Sequence, residues 1–411
     1  MDEAEFARRV TREAEAWRRE GIVSAEQAAA IAARYAEGAR TGGRRLLAQA
    51  RGLIGAILVG IGVIVFVAAN WEYIPGAARL ATVFLATAAA YHFGYRLRYG
   101  GDGSGRGAFP GTGNALLFLG AMLFGAGVFL IAQGFHVNAN APSLLVLWAV
   151  GVLPMAYVLR APAFAVLAAL ALSVALAWVP AFRIDTFGTL VVGYLLFGTL
   201  LYGVGRLHDG NDSAPLRPFH AAYGHLGLVL VLASLFFFTF PEFDLRRELW
   251  VDGSSDALLR LGLLAAGALL TAGVLAARAA RRRSPDGVGE AGAMAGVVVG
   301  GLCLLLPGGA GDGLWPLLAL VANVAMLGLL VGALAVGYRR GHAGWINIAL
   351  FFFSLLVLAR YFDFFWELMP RALFFVGAGV LLIVGGMALE RTRRRVVDAA
   401  IENSRDEEAQ P

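Results

Sequence analysis

The sequence predicts an all-α protein, a polytopic integral membrane helical bundle with about 12 transmembrane helices. Of the 411 residues, 59% are hydrophobic and only 15% are charged, whereas soluble globular proteins carry roughly 25% charged residues. The mean hydropathy is +0.69. The apolar residues also gather in runs long enough to cross a bilayer, which takes about twenty residues per helix. This composition excludes a soluble globular protein.

Residues 1–51 precede the first apolar run and are predicted to form a cytoplasmic amphipathic tail. Phe6, Val10 and Trp17 recur at helical spacing in a charged stretch that ends at Gly21. Ser24 then stands three residues before Gln27, a capping-box pattern that opens a second helix. We expect a small helical hairpin that contacts the membrane or, through residues 1–45, a cytoplasmic protein partner.

Twelve apolar runs follow, each of at least 17 residues and nearly free of charge. They define a transmembrane domain over residues 52–390, after which residues 391–411 form a charged cytoplasmic tail. The approximate bounds of the runs are 53–69, 79–95, 115–133, 143–159, 163–179, 187–204, 221–240, 258–277, 291–307, 315–337, 343–361 and 372–389.

The distribution of arginine predicts that both termini are cytoplasmic. If the N-terminal tail lies inside, 27 arginines fall in inside segments and seven in outside segments. Basic residues concentrate in the cytoplasmic loops of membrane proteins, and a miscounted helix would invert every later loop. Because the arginines alternate with apolar runs and do not cluster on one soluble module, nucleic acid is not a predicted partner. The predicted partner of the helices is the lipid bilayer.

Polar residues close to the membrane gather at the predicted outer ends of three hairpins. Such residues are candidates for function, because an ionised group at mid-membrane costs about 2.5–3.5 kcal/mol. We predict that they form one outward-facing site for a small solute or a lipid headgroup, and we assign no catalytic residue, metal ligand or cofactor. The predicted binding residues are Trp71, Glu72, Gln133, His136, Asn138, Arg360 and Asp363. Arg360 and Asp363 stand three residues apart, so this pair can meet on one helical face. The alternative is that Trp anchors helix ends and Arg snorkels to the interface.

Two further patterns predict contacts between helices. Asn323 and Asn347 lie deep in apolar runs, where an amide is expected to hydrogen-bond a neighbouring helix. Small residues at every fourth position let two helix backbones approach closely, which predicts packing inside the bundle or a homo-oligomer. The two small-residue stripes are Gly52, Ala56 and Gly60, and Gly292, Gly296 and Gly300.

Four motifs carry a resemblance to a known family. They are Gly21 to Ser24 with Gln27, the turn Ala69-Asn70-Trp71, the run from Leu119 to His136, and Arg360-Tyr361-Phe362-Asp363. Together they resemble the bacterial predicted membrane proteins catalogued as domain of unknown function 2157, over the first 160 residues best and the last 65 next. The resemblance implies a bacterial inner-membrane protein of uncharacterised activity, and it supplies no catalytic residues.

These observations favour transport or lipid handling through the outward-facing polar site. One alternative is a membrane scaffold or sensor whose N-terminal helices bind a cytoplasmic partner. Another is a membrane enzyme that acts on a lipid-linked substrate through the acidic loop 241–257 or through Arg360 and Asp363.

Overall fold

In a computed structural model of the chain, the regular secondary structure of the described residues is helical throughout. The described residues are 10, 13–15, 17–31, 74–100, 109–135, 141–178, 187–209, 216–240, 255–303, 315–365 and most of 375–391. The chain divides into two units, Met1–Arg79 and Leu80–Pro411.

The capping box predicted in the N-terminal unit is confirmed. The backbone N–H of Gln27 donates to Ser24 Oγ over 3.1 Å, and the backbone N–H of Ser24 donates to Gln27 Oε1 over 2.9 Å. Gly21 adopts a φ of 76°, a conformation that favours glycine at a helix end. The complete hairpin and the partner site at residues 1–45 remain predictions, because residues 32–73 lie outside the described residues.

Ten helices with defined bounds lie within the described part of the chain. In chain order they are α1 (Gly76–Tyr99), α2 (Pro110–Gly134), α3 (Pro142–Val158), α4 (Pro162–Trp178), α5 (Phe187–Leu207), α6 (Arg217–Phe238), α7 (Ser255–Arg281), α8 (Pro285–Cys303), α9 (Trp315–Arg339) and α10 (Ala343–Phe365). They coincide with the second to eleventh apolar runs. The first run, 53–69, lies outside the described residues, and the twelfth coincides with an apolar helical stretch, Phe375–Ala388.

Six of the described helices are long and apolar enough to cross a membrane, namely α2, α5, α6, α7, α9 and α10. The helices α3 and α4 are also apolar but have 17 residues each. The structure therefore supports an all-helical protein with six candidate spans among the described residues. The total of about twelve and the domain bounds drawn from it remain predictions.

The centre of the second unit is the pair α5 and α6, which approach each other backbone to backbone. A Cβ atom on Gly227 of α6 would lie 2.4 Å from the backbone nitrogen of Tyr202, and one on Gly205 of α5 would lie 2.6 Å from that of Gly224. Only glycine permits these contacts. Further helices surround the pair: α4, α7 and α8 pack on α5, and α4, α9 and α10 pack on α6.

The glycine stripe on α8 makes no such close contact with the described helices. A Cβ atom on Gly292, Gly296 or Gly300 would meet nothing within 4 Å among the described residues. The described helices therefore leave this face of α8 uncovered. Packing of the stripe inside the bundle, against a part of the chain outside the described residues, or against a second copy of the chain remains a prediction.

Three hairpins in the second unit share one turn geometry. Three residues separate α3 from α4, α7 from α8, and α9 from α10. In each turn the residue at the left-handed position has a positive φ, which is 50° at Arg160, 52° at Arg283 and 65° at Gly341. The amide that follows bonds back to the carbonyl five residues earlier over 2.8–2.9 Å, which is the Schellman pattern. Glycine usually occupies this position, yet two of the turns place arginine there.

We expect Arg160→Gly to stabilise the protein. The left-handed conformation costs an L-residue roughly 1–2 kcal/mol, so glycine should raise the free energy of unfolding by about 1 kcal/mol. Equilibrium unfolding in detergent micelles measures this change. Arg160→Ala is the matched control, because it removes the same exposed side chain but keeps Cβ and the strain. An equal rise in the free energy of unfolding of both variants would mean that the arginine side chain, and not the left-handed backbone conformation, destabilises this turn.

Close packing of α5 and α6 predicts a second stability effect. Gly227→Ala places a methyl group 2.4 Å from a backbone atom, and overpacking costs typically about 1–3 kcal/mol. The melting temperature in detergent should fall. Gly273→Ala in α7 meets nothing within 4 Å and should keep or raise it, because alanine favours a helix. Similar melting temperatures for the two variants would contradict this account of the core.

Candidate functional site

A buried ion pair joins α5 to α8. Arg206 lies in the last turn of α5 and Glu290 in the second turn of α8. The guanidinium donates through Nε to Glu290 Oε1 over 2.6 Å and through Nη2 to Oε2 over 3.1 Å. The two side chains are only 9% and 11% exposed. This two-point geometry suits the planar guanidinium of arginine and fixes the orientation of both groups.

Glu290 has two further partners, one on α5 and one in the turn between α9 and α10. The hydroxyl of Tyr202 donates to Oε1 over 2.6 Å, and Nη2 of Arg340 donates to Oε2 over 3.2 Å. Both carboxylate oxygens are therefore satisfied. A buried charge persists only when such hydrogen bonds offset its desolvation. One carboxylate consequently holds together α5, α8 and the turn between α9 and α10.

Asp209 completes the network beyond the end of α5. It forms an ion pair with Arg206 three residues earlier. Burial disfavours the charged form of Asp209, but the positive charges of Arg206 and Arg340 outweigh that effect and lower the pKa of the carboxyl group. Asp209 is therefore ionised at neutral pH.

A cleft of about 350 Å³ begins at this network and extends between α8 and α9. Ligand pockets range from about 300 to 1,000 Å³. Apolar residues from α6, α8 and α9 form most of its walls. They include Val231, Met294, Val297, Leu329, Ala333 and Val336.

One end of the cleft is polar. Tyr202 and Glu290 line it together with Asp286 and Arg339, which form an exposed ion pair over 2.5 Å. The cleft thus combines a long apolar wall with a charged end. An amphiphilic ligand has the same two parts, an apolar chain and a polar group.

The cleft is open on the side between α8 and α9. The helix α8 packs on α5 and α7, whereas α9 packs on α6 and α10. Ala293 on α8, and Gly328 and Gly332 on α9, line the cleft and are exposed. A Cβ atom on either glycine would meet nothing within 4 Å.

The floor of the cleft near the ion pair is aromatic. Trp345 of α10 is 1% exposed, and its ring centroid lies 5.4 Å from that of Tyr202 and 5.8 Å from that of His220. A ring nitrogen of His220, Nδ1, lies 3.1 Å from the carbonyl oxygen of Gly205. These contacts make His220 a packing residue between α5, α6 and α10, and no group of three potential metal ligands occurs among the described residues.

A second polar cluster lies at the opposite end of α6 and contains the predicted Arg360. The Arg360 guanidinium donates to the carbonyl oxygen of Thr239 over 2.8 Å and to Asp363 over 2.5 Å. Asn323 of α9 donates to the same carbonyl over 2.9 Å, which confirms its predicted hydrogen bond between helices. The carbonyl end of a helix carries partial negative charge, so Arg360 stabilises the end of α6.

The structure describes three of the seven predicted binding residues. Arg360 and Asp363 meet on α10 as their spacing implied, and Gln133 lies exposed near the end of α2. The helix α2 packs on α3 and α4, whereas α10 packs on α6 and α9. Trp71, Glu72, His136 and Asn138 lie outside the described residues, so the shared outward-facing site remains a prediction.

A family model described as "Predicted membrane protein (DUF2157)" matches residues 15–165. The resemblance is confirmed over that segment. No curated protein and no solved structure matches the chain. The DUF2157 match ends within α4, so the ion pair and the cleft lie in the part of the chain beyond it. Together with its apolar helices, the match identifies a membrane protein, but it assigns no activity to the cleft.

Sequence reasoning missed Glu290 as a site residue. In the sequence, Arg206 and Arg340 served only to predict which segments face the cytoplasm, and Tyr202 was one residue of the apolar run 187–204. The available signal was Glu290 itself, an acid directly before the apolar run 291–307. A carboxylate at the edge of hydrocarbon needs a cationic partner. The two partners are distant in sequence: Arg206 lies 84 residues away at the end of α5, and Arg340 lies 50 residues away in the turn before α10.

The two carboxylates of α8 provide a direct comparison of a buried with an exposed ion pair. Removing one partner of a buried pair costs about 3–5 kcal/mol, and Asp209 still pairs with Arg206. We therefore expect Glu290→Gln to lower the free energy of unfolding by about 3 kcal/mol. Asp286→Asn breaks a pair whose side chains are about half exposed, and it should cost about 1 kcal/mol or less.

Equilibrium unfolding of both variants in detergent micelles makes the comparison. Equal losses would mean that the Arg206–Glu290 pair contributes no more than a surface contact.

Proposed function

We propose that this membrane protein handles lipids by binding the apolar chain of a lipid or a similar amphiphile in the cleft between α8 and α9. The observation that carries the proposal is a cleft with apolar walls, a lateral opening and a charged end. An acyl chain could enter sideways from the membrane, without passing through water. A water-soluble solute would gain little from walls of Val, Leu, Met and Ala, so lipid handling is favoured over transport of a polar solute.

The charged end of the cleft fits the polar part of the same ligand. Tyr202, Arg339 and Glu290 line this end and carry hydrogen-bonding groups. Small-molecule sites commonly combine apolar walls with a few polar groups that set orientation. The ligand would therefore lie with its chain along α9 and its polar group beside Glu290.

The predicted distribution of arginine across the membrane supports an orientation for this site. Arg282, Arg339 and Arg340 belong to the segments predicted to face the cytoplasm. In a bacterial inner membrane with both termini inside, the charged end of the cleft lies at the cytoplasmic leaflet. Lipid from that leaflet would be the ligand.

Filling the cleft tests the proposal. Gly332→Phe adds a ring where a Cβ atom meets nothing within 4 Å, so the backbone tolerates it while the cleft loses space. We expect the purified variant to retain much less lipid than the wild type. Native mass spectrometry after detergent exchange counts the retained lipid molecules, and thermal unfolding verifies that the variant is folded.

Gly273→Phe in α7 is the matched control, because it adds the same ring at another open helical glycine that does not line the cleft. It should retain lipid like the wild type. Equal retention by the two variants, or no retained lipid in the wild type, would contradict a lipid site in the cleft.

A further inference from the structure

A second cavity, of about 230 Å³, lies on the other side of Glu290. We call it the arginine pocket, because four guanidinium groups line it together with two carboxylates. These residues are Arg206, Arg278, Arg282, Arg340, Asp209 and Glu290. Three structural elements supply the cations: the end of α5, the last turn of α7 with the turn after it, and the turn before α10.

The charges of the arginine pocket do not cancel. Both carboxylates are ion-paired with Arg206, and Glu290 also accepts a hydrogen bond from Arg340. In the described part of the chain, Arg278 and Arg282 have no carboxylate within ion-pair distance; Arg278 donates to the carbonyl oxygen of Leu207 over 3.1 Å. Four positive and two negative groups leave an excess of about two positive charges, the complement of a phosphate group.

Arg340 is the lining cation with incomplete hydrogen bonding. Its Nη2 atom donates to Glu290, whereas its buried Nη1 atom makes no hydrogen bond with the described residues. Buried donors are almost always satisfied in folded proteins, so the contacts within the described part of the chain do not use the full donor capacity of this group.

The start of α8 adds a second source of positive potential. Ser284 and Gly287 line the pocket at the N-terminus of this 19-residue helix, where the helix dipole favours anions. Gly287 brings the helix close to α7, since a Cβ atom there would lie 2.8 Å from Cβ of Ala279. This contact fixes the two helices on one side of the cavity, whereas the side chains of Arg278 and Arg282 at its edge are exposed.

We propose that the arginine pocket binds a phosphate group. Planar guanidinium groups bind phosphate oxygens in pairs, and four guanidinium groups with an excess of positive charge line one cavity beside a helix N-terminus. The phosphate can belong to a lipid headgroup or to a soluble compound, since the recognition chemistry is the same. The pocket does not depend on lipid binding in the cleft.

The test uses the full chain in nanodiscs, made of phosphatidylcholine alone for the first arm and of phosphatidylcholine mixed with phosphatidic acid for the second. In the first arm, isothermal titration with inorganic phosphate at constant ionic strength measures binding, and chloride serves as the competing simple anion. In the second arm, native mass spectrometry compares retention of phosphatidic acid with that of phosphatidylcholine. Binding of inorganic phosphate in the first arm identifies a soluble phosphate ligand. Selective retention of phosphatidic acid in the second arm, without binding in the first, identifies a lipid headgroup.

Two neighbouring arginines make a matched pair of variants. Both are exposed, but Arg282 lines the pocket and Arg281 does not. We expect Arg282→Gln to weaken phosphate binding about tenfold, a loss equivalent to about 1.4 kcal/mol, and Arg281→Gln to leave it unchanged. Arg278→Gln should act like Arg282→Gln, so the conclusion does not depend on one variant.

Equal affinities for Arg281→Gln and Arg282→Gln would overturn the proposal, as would the absence of binding in both arms. Gly332→Phe separates this proposal from the lipid cleft. If the cleft proposal fails and the phosphate pocket is correct, phosphate binding and its loss in Arg282→Gln still appear.

Discussion

The Arg206–Glu290 pair determines how the second half of the chain is assembled. Each group is expensive to bury alone, because an unpaired charge in a low-dielectric interior has lost its hydration without compensation. Together they are stable only if α5, α8 and the turn before α10 meet within hydrogen-bond distance of one carboxylate. The pair also separates two cavities of opposite character. On one side of Glu290 lies an apolar cleft, and on the other lies a pocket rich in arginine.

The helices of this protein could be predicted well from the sequence because their signal is local. Ten apolar runs coincide with helices, and the capping box between Ser24 and Gln27 forms as its spacing implied. Glycine contacts were harder to predict. The regular stripe at Gly292, Gly296 and Gly300 meets none of the described helices, whereas Gly227 and Gly205, which the spacing did not single out, bring two backbones together. Spacing reveals that a helix has a small-residue face, but it does not reveal which helix meets that face.

The candidate site was less predictable, because residue spacing does not reveal which distant segments come together. The spacing of Arg360 and Asp363 predicted their contact, because partners three residues apart on a helix are neighbours. It did not predict that Arg360 also binds the end of α6, 121 residues earlier in the chain. Glu290 is 84 residues from Arg206 and 50 from Arg340. A search for charge in the middle of apolar runs overlooks such groups, because they lie at helix ends and become buried only when the helices pack.

The three-residue turns have a consequence for how the chain enters the membrane. Three extended residues reach about 10 Å, whereas the hydrocarbon core is about 30 Å thick. A turn of this length cannot cross the bilayer, so the end of α7 and the start of α8 lie on the same side of the membrane. In the predicted topology of twelve spans, each such hairpin returns the chain to the side from which it entered. Under that topology, removing a whole hairpin would leave the predicted orientation of every later helix unchanged, whereas removing a single helix would move every later loop to the other side.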